Sequence, residues 1–406
     1  MRLFNTLSDE IEDFDAAGEV SLYVCGVTPY DTTHLGHART YLVFDVLIRH
    51  LLHLGYKVNY VQNITDVDDS ILVRAREMGE SYEDLGRFFV GVYLEDSAQL
   101  GIIPADAYPT ATSAIPQITQ VIEGLIDGGH AYEIDGDVFF RIASFEEYGK
   151  LSRLDRPGMI AQEREQVLST VDDPRKEDPL DFPLWRAQRE GEPSWPSPWG
   201  PGRPGWHIEC STLVMTHLGS QIDIHGGGDD LIFPHHENEI AQSETFSGMH
   251  PFARTWVHVA MARLGGEKMS KSEGNMMFVR DLLETYSADA IRLYVLQTHH
   301  RTPLDFDPAA LDRAAALAAR LKKAADLPVR AAGVSQPAVE AEREFDARLN
   351  DDLDTPGAIA ALEGVAGTLL DETGPIGYQE RRVLRSLAQR LGLQLTARPT
   401  DTGEPA

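Results

Sequence analysis

The sequence predicts an α/β protein: a Rossmann-like parallel sheet carrying an α+β insertion, followed by a C-terminal helical domain. Three observations carry that prediction. A strand, turn, helix, strand pattern occupies residues 19 to 69. Between 108 and 200 the composition turns proline-punctuated, with mixed helix and strand signals. From Pro308 the chain becomes alanine-rich and helical. At 406 residues the chain has room for two or three domains. The expected boundaries are 1–107 for the first half of the sheet domain, 108–200 for the insertion, 201–307 for the second half, 308–395 for the helical domain and 396–406 for a disordered tail.

The first element is the apolar run Val20 to Val24, which leads into the turn-rich segment Cys25-Gly26-Val27-Thr28-Pro29-Tyr30-Asp31. His34-Leu35-Gly36-His37 then heads an amphipathic helix whose apolar residues are Leu42, Phe44, Val46, Leu47, Leu51 and Leu52, and which stops at Gly55. Lys57 to Gln62 reads as the next strand, so the unit is βαβ with parallel strands. In such a unit the loop after the first strand, here with Gly26 and Thr28, and the helix N-terminus make a crevice where free N–H groups and the helix dipole attract phosphate. His34 and His37 fit that place as hydrogen-bond donors without a fixed charge. The alternative is that they only cap and pack the helix end.

The second strand runs into Asn63-Ile64-Thr65-Asp66-Val67-Asp68-Asp69, whose carboxylates suit magnesium or ribose hydroxyls, or simply start a helix. Helical patterns continue to about residue 100. The insertion hands back through Pro193 to Gly200, whose prolines favour an extended crossing. A strand from Gln221 to Ile224 follows, ending in His225-Gly226-Gly227-Gly228-Asp229-Asp230, where Gly227 and Gly228 would let the adenosine half of a nucleotide approach the backbone beside Asp230. Gly265-Gly266 then introduces a loop with Lys268 and Lys271, two of only seven lysines. Their ammonium groups would offset charge building up on a reacting triphosphate as the loop closes. The Pro308 to Ala325 helix carries Arg320, Lys322 and Lys323; a linker over 328–338 includes Arg330, and further helices end near Leu395.

The chain holds two cysteines, Cys25 and Cys210. Without a secretory signal a disulfide is disfavoured. In a helix beginning near Pro234, His235 and Glu239 stand four apart on one face, with His236 and Glu237 as alternatives that spacing leaves open. Two thiolates, an imidazole and a carboxylate form a permitted zinc set. The formal net charge of −28 restricts any nucleic-acid contact to local basic patches. No run of eighteen apolar residues exists, so no membrane span and a cytoplasmic location are expected.

Together these segments resemble one family. His34-Leu35-Gly36-His37 and Lys268-Met269-Ser270-Lys271-Ser272 look like the two signatures of class I aminoacyl-tRNA synthetases. LYVCG, NITDVDD, GRPGWHIECS, DIHGGGDDLIFPHHENEIAQSE and GEKMSKSEGN resemble cysteinyl-tRNA synthetases across residues 3 to 310. The resemblance implies activation of L-cysteine with ATP and Mg2+, transfer to the 3′ end of tRNA(Cys), and one zinc ion on Cys25, Cys210, His235 and Glu239. It puts Thr65 and Trp206 beside the bound cysteine, and His34, His37 and Lys271 on ATP. The mycothiol-pathway ligase, which joins cysteine to an aminosugar, is similar too. Its helix start is matched by Leu349 to Pro356 and it ends, as this sequence does, without the usual anticodon-reading domain, so an aminosugar is the alternative acceptor.

Overall fold

The computed structural model of the chain describes all residues except 167–168, 269–275, 329–335, 372–377 and 396–406. A short antiparallel hairpin, β1 (Arg2–Asn5) and β2 (Glu10–Asp13), precedes the main sheet. Then come β3 (Glu19–Val27), α1 (Leu35–His53) and β4 (Lys57–Ile64), the βαβ unit the sequence predicts. Leu52 alone of the apolar residues named for α1 faces outward, at 48% exposure. Helices α2 (Asp69–Met78) and α3 (Tyr82–Gln99) follow, each opened by a side-chain cap, Asp68 and Ser81.

The inserted region contributes α4 (Ile115–Asp127), β5 (Ala131–Ile134), β6 (Asp137–Phe140), α5 (Arg156–Arg164), β7 (Phe182–Ala187) and β8 (Gly202–Pro204). Its four strands form an antiparallel sheet in sequence order that reaches Pro204. The chain then returns to the main sheet through α6 (Trp206–His217), β9 (Ile222–Gly228), α7 (Glu237–Ser247) and β10 (Ala253–Val259). The main sheet is wholly parallel in the order β10-β9-β3-β4, with Tyr23 opposite His225 and Val24 opposite Gly226. Both its faces are covered, which is why β3 reads as an almost unbroken apolar run.

One expectation changes here and one holds. The glycines do not follow the strand; β9 runs through Gly228, four residues past Ile224. A Cβ on Gly226 would stand 2.1 Å from the Phe44 ring of α1, so the glycine is demanded by helix-on-sheet packing rather than by a ligand. The helix expected near Pro234 is present: Phe233 before the proline is extended (φ −134°, ψ 134°), as the proline ring requires of its predecessor, and from Pro234 a helical turn carrying His235 and His236 runs directly into α7.

The last part is β11 (Ala262–Leu264), β12 (Glu267–Lys268), α8 (Val279–Thr285), α9 (Ala288–Leu296), β13 (Leu304–Asp305), α10 (Pro308–Asp326), α11 (Gln336–Asn350), α12 (Thr355–Leu370) and α13 (Tyr378–Arg390). The linker expected over 328–338 is helical from Gln336, and its 329–335 portion, with Arg330, lies outside the described residues, as does the 396–406 tail. The helices do not hang from a tether. Leu35, Leu42 and Val46 of α1 share one apolar core with α9 to α13. Among the described residues no helix is long and apolar enough to cross a membrane.

Candidate active site and metal centre

The carboxyl ends of β3, β9 and β10, the start of α1 and the start of α6 surround a cleft of about 430 Å³, closed on one side by the insertion. Gly26, Thr28, His34, His37, Trp206, Gly228 and Asp230 line it, as does Cys25 at its inner end. This is the crevice at the strand ends that parallel α/β sheets reserve for ligands.

His34 caps α1: its Nδ1 accepts from the backbone N–H of Gly36 at 3.1 Å and of His37 at 3.3 Å. That leaves the proton on Nε2. The two rings stack with centroids 3.7 Å apart. Burial brings His37 down to about 4, with Asp230 and Asp31 opposing, so its imidazole is neutral at pH 7. Capping and cleft lining therefore coexist in one histidine pair. Gly26 has its own constraint, since a Cβ there would stand 1.6 Å from the carbonyl oxygen of Asn63. In return its N–H donates to Asn63 Oδ1 at 2.8 Å.

Cys25, Cys210, His235 and Glu239 are all buried, with ligand atoms within 4.8 Å of one another. The sulfurs are 3.8 Å apart, too far for a disulfide. Two sulfurs about 2.3 Å from a tetrahedral zinc would be separated by about 3.8 Å, a sulfur and an oxygen by about 3.5 Å and a nitrogen and an oxygen by about 3.3 Å. Cys25 Sγ to Glu239 Oε1 is 3.6 Å, and His235 Nε2 to Glu239 Oε1 is 3.1 Å. These three of the six donor–donor distances match the edges of a metal tetrahedron.

A ring of histidines backs these four groups. His225 Nε2 donates to Glu239 Oε2 at 2.9 Å, and His207 Nδ1 meets His235 Nδ1 at 2.9 Å, turning His235 Nε2 toward the thiols. Trp206 stacks on His235 at 4.2 Å. His236 lies 3.3 Å from Cys25 Sγ, and its other nitrogen reaches His258, which reaches the Thr6 hydroxyl. Burial raises Glu239, yet His225 and His235 outweigh it and hold the carboxyl at about 2. Burial lowers His235, yet Glu239 and Cys210 raise it to about 10. Burial raises both thiols; the Cys25 hydrogen bond and His235 bring Cys210 down to about 6, while Cys25 stays raised. Spacing left Glu237 open as a ligand, but its carboxylate accepts from the backbone N–H of Gly149, Leu151 and Ser152 and pins the insertion instead. His236 stays within reach of a second grouping with Cys25, His225 and Glu239.

Two expected cleft residues do not line it. Thr65 is buried, its hydroxyl accepting from Asn63 Nδ2 at 3.1 Å. Gly227 points away, with the His236 ring 3.1 Å from where its Cβ would be. Of Lys268 only the backbone, in β12, is described, and Lys271 lies outside the described residues. The far end of that loop comes back to α1: Leu35 N–H donates to Met277 O at 2.8 Å and Val279 N–H to Thr33 O at 2.9 Å. Sequence reasoning missed His207 and His258, because single histidines in a helix and a strand carry no spacing signal.

The fold and this cleft define the catalytic domain of a class I tRNA synthetase. The family model described as "tRNA synthetases class I (C) catalytic domain" matches residues 12–316. Among curated relatives, the cysteine–tRNA ligase of Dehalococcoides mccartyi is 44% identical over 410 residues, spanning 99% of this chain and 88% of that protein. The cysteine–tRNA ligase of Gloeothece citriformis is 52% identical over 317 residues, covering 77% of this chain and 65% of that one. The chain therefore belongs to the cysteinyl-tRNA synthetase family. Mycobacterium tuberculosis methionyl-tRNA synthetase in complex with methionyl-adenylate shares the fold at a TM-score of 0.64 and 16% identity, over 92% of this chain and 89% of that one.

Proposed function

We propose that this chain activates L-cysteine with ATP to give cysteinyl-adenylate and pyrophosphate, then transfers the cysteinyl group to the 3′ end of tRNA(Cys). The observation that carries this reading is the buried cluster of Cys25, Cys210, His235 and Glu239 at the inner end of a cleft bordered by His34 and His37. Zinc held by those four residues would supply a soft acceptor for the substrate's thiolate, against which serine's hydroxyl competes poorly. His225 and His207 orient the ligands Glu239 and His235 through hydrogen bonds. This division of labour favours the set with both thiols over the grouping with His225 and His236. Trp206 covers His235 with a stacked ring.

At the outer end His34, with its proton on Nε2, donates toward phosphate oxygens without bringing charge of its own, and the N-terminus of α1 adds its dipole. Magnesium would accompany the ATP phosphates, and Lys268 and Lys271 would offset the charge that grows as pyrophosphate leaves. Gly228 and Asp230 border the place for the adenosine half. The chain's work is positioning, since neither step needs a covalent enzyme intermediate. The aminosugar acceptor gains no support from the relatives, whose names are those of tRNA ligases.

ATP-dependent capture of labelled cysteine is the test, offered side by side with a tRNA(Cys) transcript and a glucosamine-type acceptor. Label on the tRNA is expected. Cysteine-dependent pyrophosphate exchange with label only on the sugar would overturn the acceptor, and no exchange at all would overturn the activity.

A further inference from the structure

The anions of the proposed metal set, Cys25, Cys210 and Glu239, are buried, and among the described residues no lysine or arginine bonds or pairs with any of them. With both thiols ionised they bring three negative charges to a doubly charged zinc ion, so the centre is net negative before a substrate thiolate adds a fourth. A buried excess of that kind calls for neutral O–H and N–H dipoles aimed at the anions.

Two of the three have such a group behind them. His225 Nε2 donates to Glu239 Oε2 at 2.9 Å. His236 Nε2 lies 3.3 Å from Cys25 Sγ, its other nitrogen being engaged by His258. Cys210 remains. Cys25 and His235 touch it, but both are metal ligands themselves and bring it no proton once ionised or metal-bound. The group behind Cys210 is Tyr23. Fully buried, it shares its face of β3 with Cys25 and stands opposite His225 in the sheet, the two rings 5.2 Å apart. Its hydroxyl has no hydrogen-bond partner, and the sulfur of Cys210 stands beside it, outside strict hydrogen-bond geometry. A phenol keeps its proton at neutral pH, so an uncommitted donor faces the anion that lacks one. Tyr23 does not line the cleft, and its hydroxyl therefore acts on the ligand and not on the substrate.

We propose that Tyr23 is a positioning residue whose O–H donates to Cys210 Sγ when that sulfur is a metal ligand, drawing charge off it so that the metal stays open to one further thiolate. This rests on the reading of the four residues as a zinc site that takes the sulfur of cysteine, and it adds what lets an anionic centre accept another anion. The consequence is selective: losing the hydroxyl weakens ligands that bring a thiolate and spares those that bring none.

The test compares the full chain with its Tyr23→Phe variant, each loaded with Zn2+ or Co2+ and titrated with the sulfamoyl analogues of cysteinyl- and alanyl-adenylate. The substitution removes one oxygen and keeps the ring. The variant should hold one metal per chain and bind the cysteinyl analogue ~10-fold less tightly, as when a metal ligand loses a supporting hydrogen bond, with the alanyl analogue little affected. In the Co2+ protein the thiolate-to-metal charge-transfer band should move to lower energy, because a sulfur that loses a donor gives up its electrons more readily. Equal weakening of both analogues, or loss of the metal, would mark Tyr23 as structural and overturn the proposal. An unshifted band or an unchanged affinity for the cysteinyl analogue would overturn it as well. If Tyr23→Phe fails to fold, replacing Tyr23 by 3-fluorotyrosine, a stronger donor of nearly the same size, decides: the band should move to higher energy, and a fixed band overturns the proposal. Failure of the underlying reading is separately visible in the unaltered protein, as absence of bound zinc or of cysteine-dependent pyrophosphate exchange.

Discussion

At the scale of single residues, the site is built from groups that each serve a neighbour. His34 caps a helix and faces the cleft; His225 holds Glu239; His207 orients the His235 ring. Cys210 has the sharpest test. Serine is nearly the same size but a far weaker zinc ligand, so Cys210→Ser should lower zinc affinity by ~10²-fold or more and abolish cysteine-dependent pyrophosphate exchange with it. Metal content by atomic absorption and exchange rates on the same preparation check this. Full exchange by a metal-free variant would remove the metal from the chemistry.

At the scale of elements, the interior of β9 is where function and packing were easiest to confuse. Three glycines in a row suggest a ligand's approach, yet Gly226 is pressed against Phe44 and Gly227 against His236, and only Gly228 reaches the cleft. Gly226→Ala should therefore destabilise the fold by ~1 to 3 kcal/mol through overpacking, with little change in the KM for ATP among molecules that remain folded. Urea melts and steady-state kinetics separate the two effects; a raised KM for ATP with unchanged stability would restore the ligand reading. The start of α7 is the case where spacing alone was enough. His235 and Glu239 meet at 3.1 Å because the helical backbone that resumes after the kink at Phe233 puts residues four apart on one face.

At the scale of the whole molecule, the parallel sheet and the C-terminal helices form one body through α1. His50 shows how tightly. Fully buried, it donates from Nε2 to Asn350 Oδ1 at 3.0 Å and accepts at Nδ1 from Arg390 at 3.1 Å. Burial first, and Arg390 beside it, bring its pKa down to about 4. The sign follows directly: the unfolded chain binds a proton near its ordinary value of about 6.5 that the folded chain refuses until about 4, so the fold is favoured above that window and loses stability as pH falls through it. The slope from this one group is at most about 1.4 kcal/mol per pH unit. Denaturant melts between those pH values should show a shallower pH dependence for His50→Gln than for the parent; coincident pH profiles would mean that His50 does not couple the two halves.

The βαβ unit, the insertion and the helical end could be read from the chain itself, and so could the pool of thiols, imidazoles and carboxylates from which a metal set would be drawn. Periodicity, composition and residue chemistry are local properties, and the family's motifs are contiguous strings. The choice between Glu237 and Glu239, the retreat of Thr65 and Gly227 from the cleft, the histidine ring behind the ligands and the unmatched hydroxyl of Tyr23 were decided only in three dimensions. Each depends on which backbone N–H or side chain, tens to hundreds of residues away, fills a given direction: Glu237 is taken by Gly149 to Ser152, and Gly226 is made obligatory by Phe44. Sequence names the groups that can do chemistry, and packing determines which of them are already engaged.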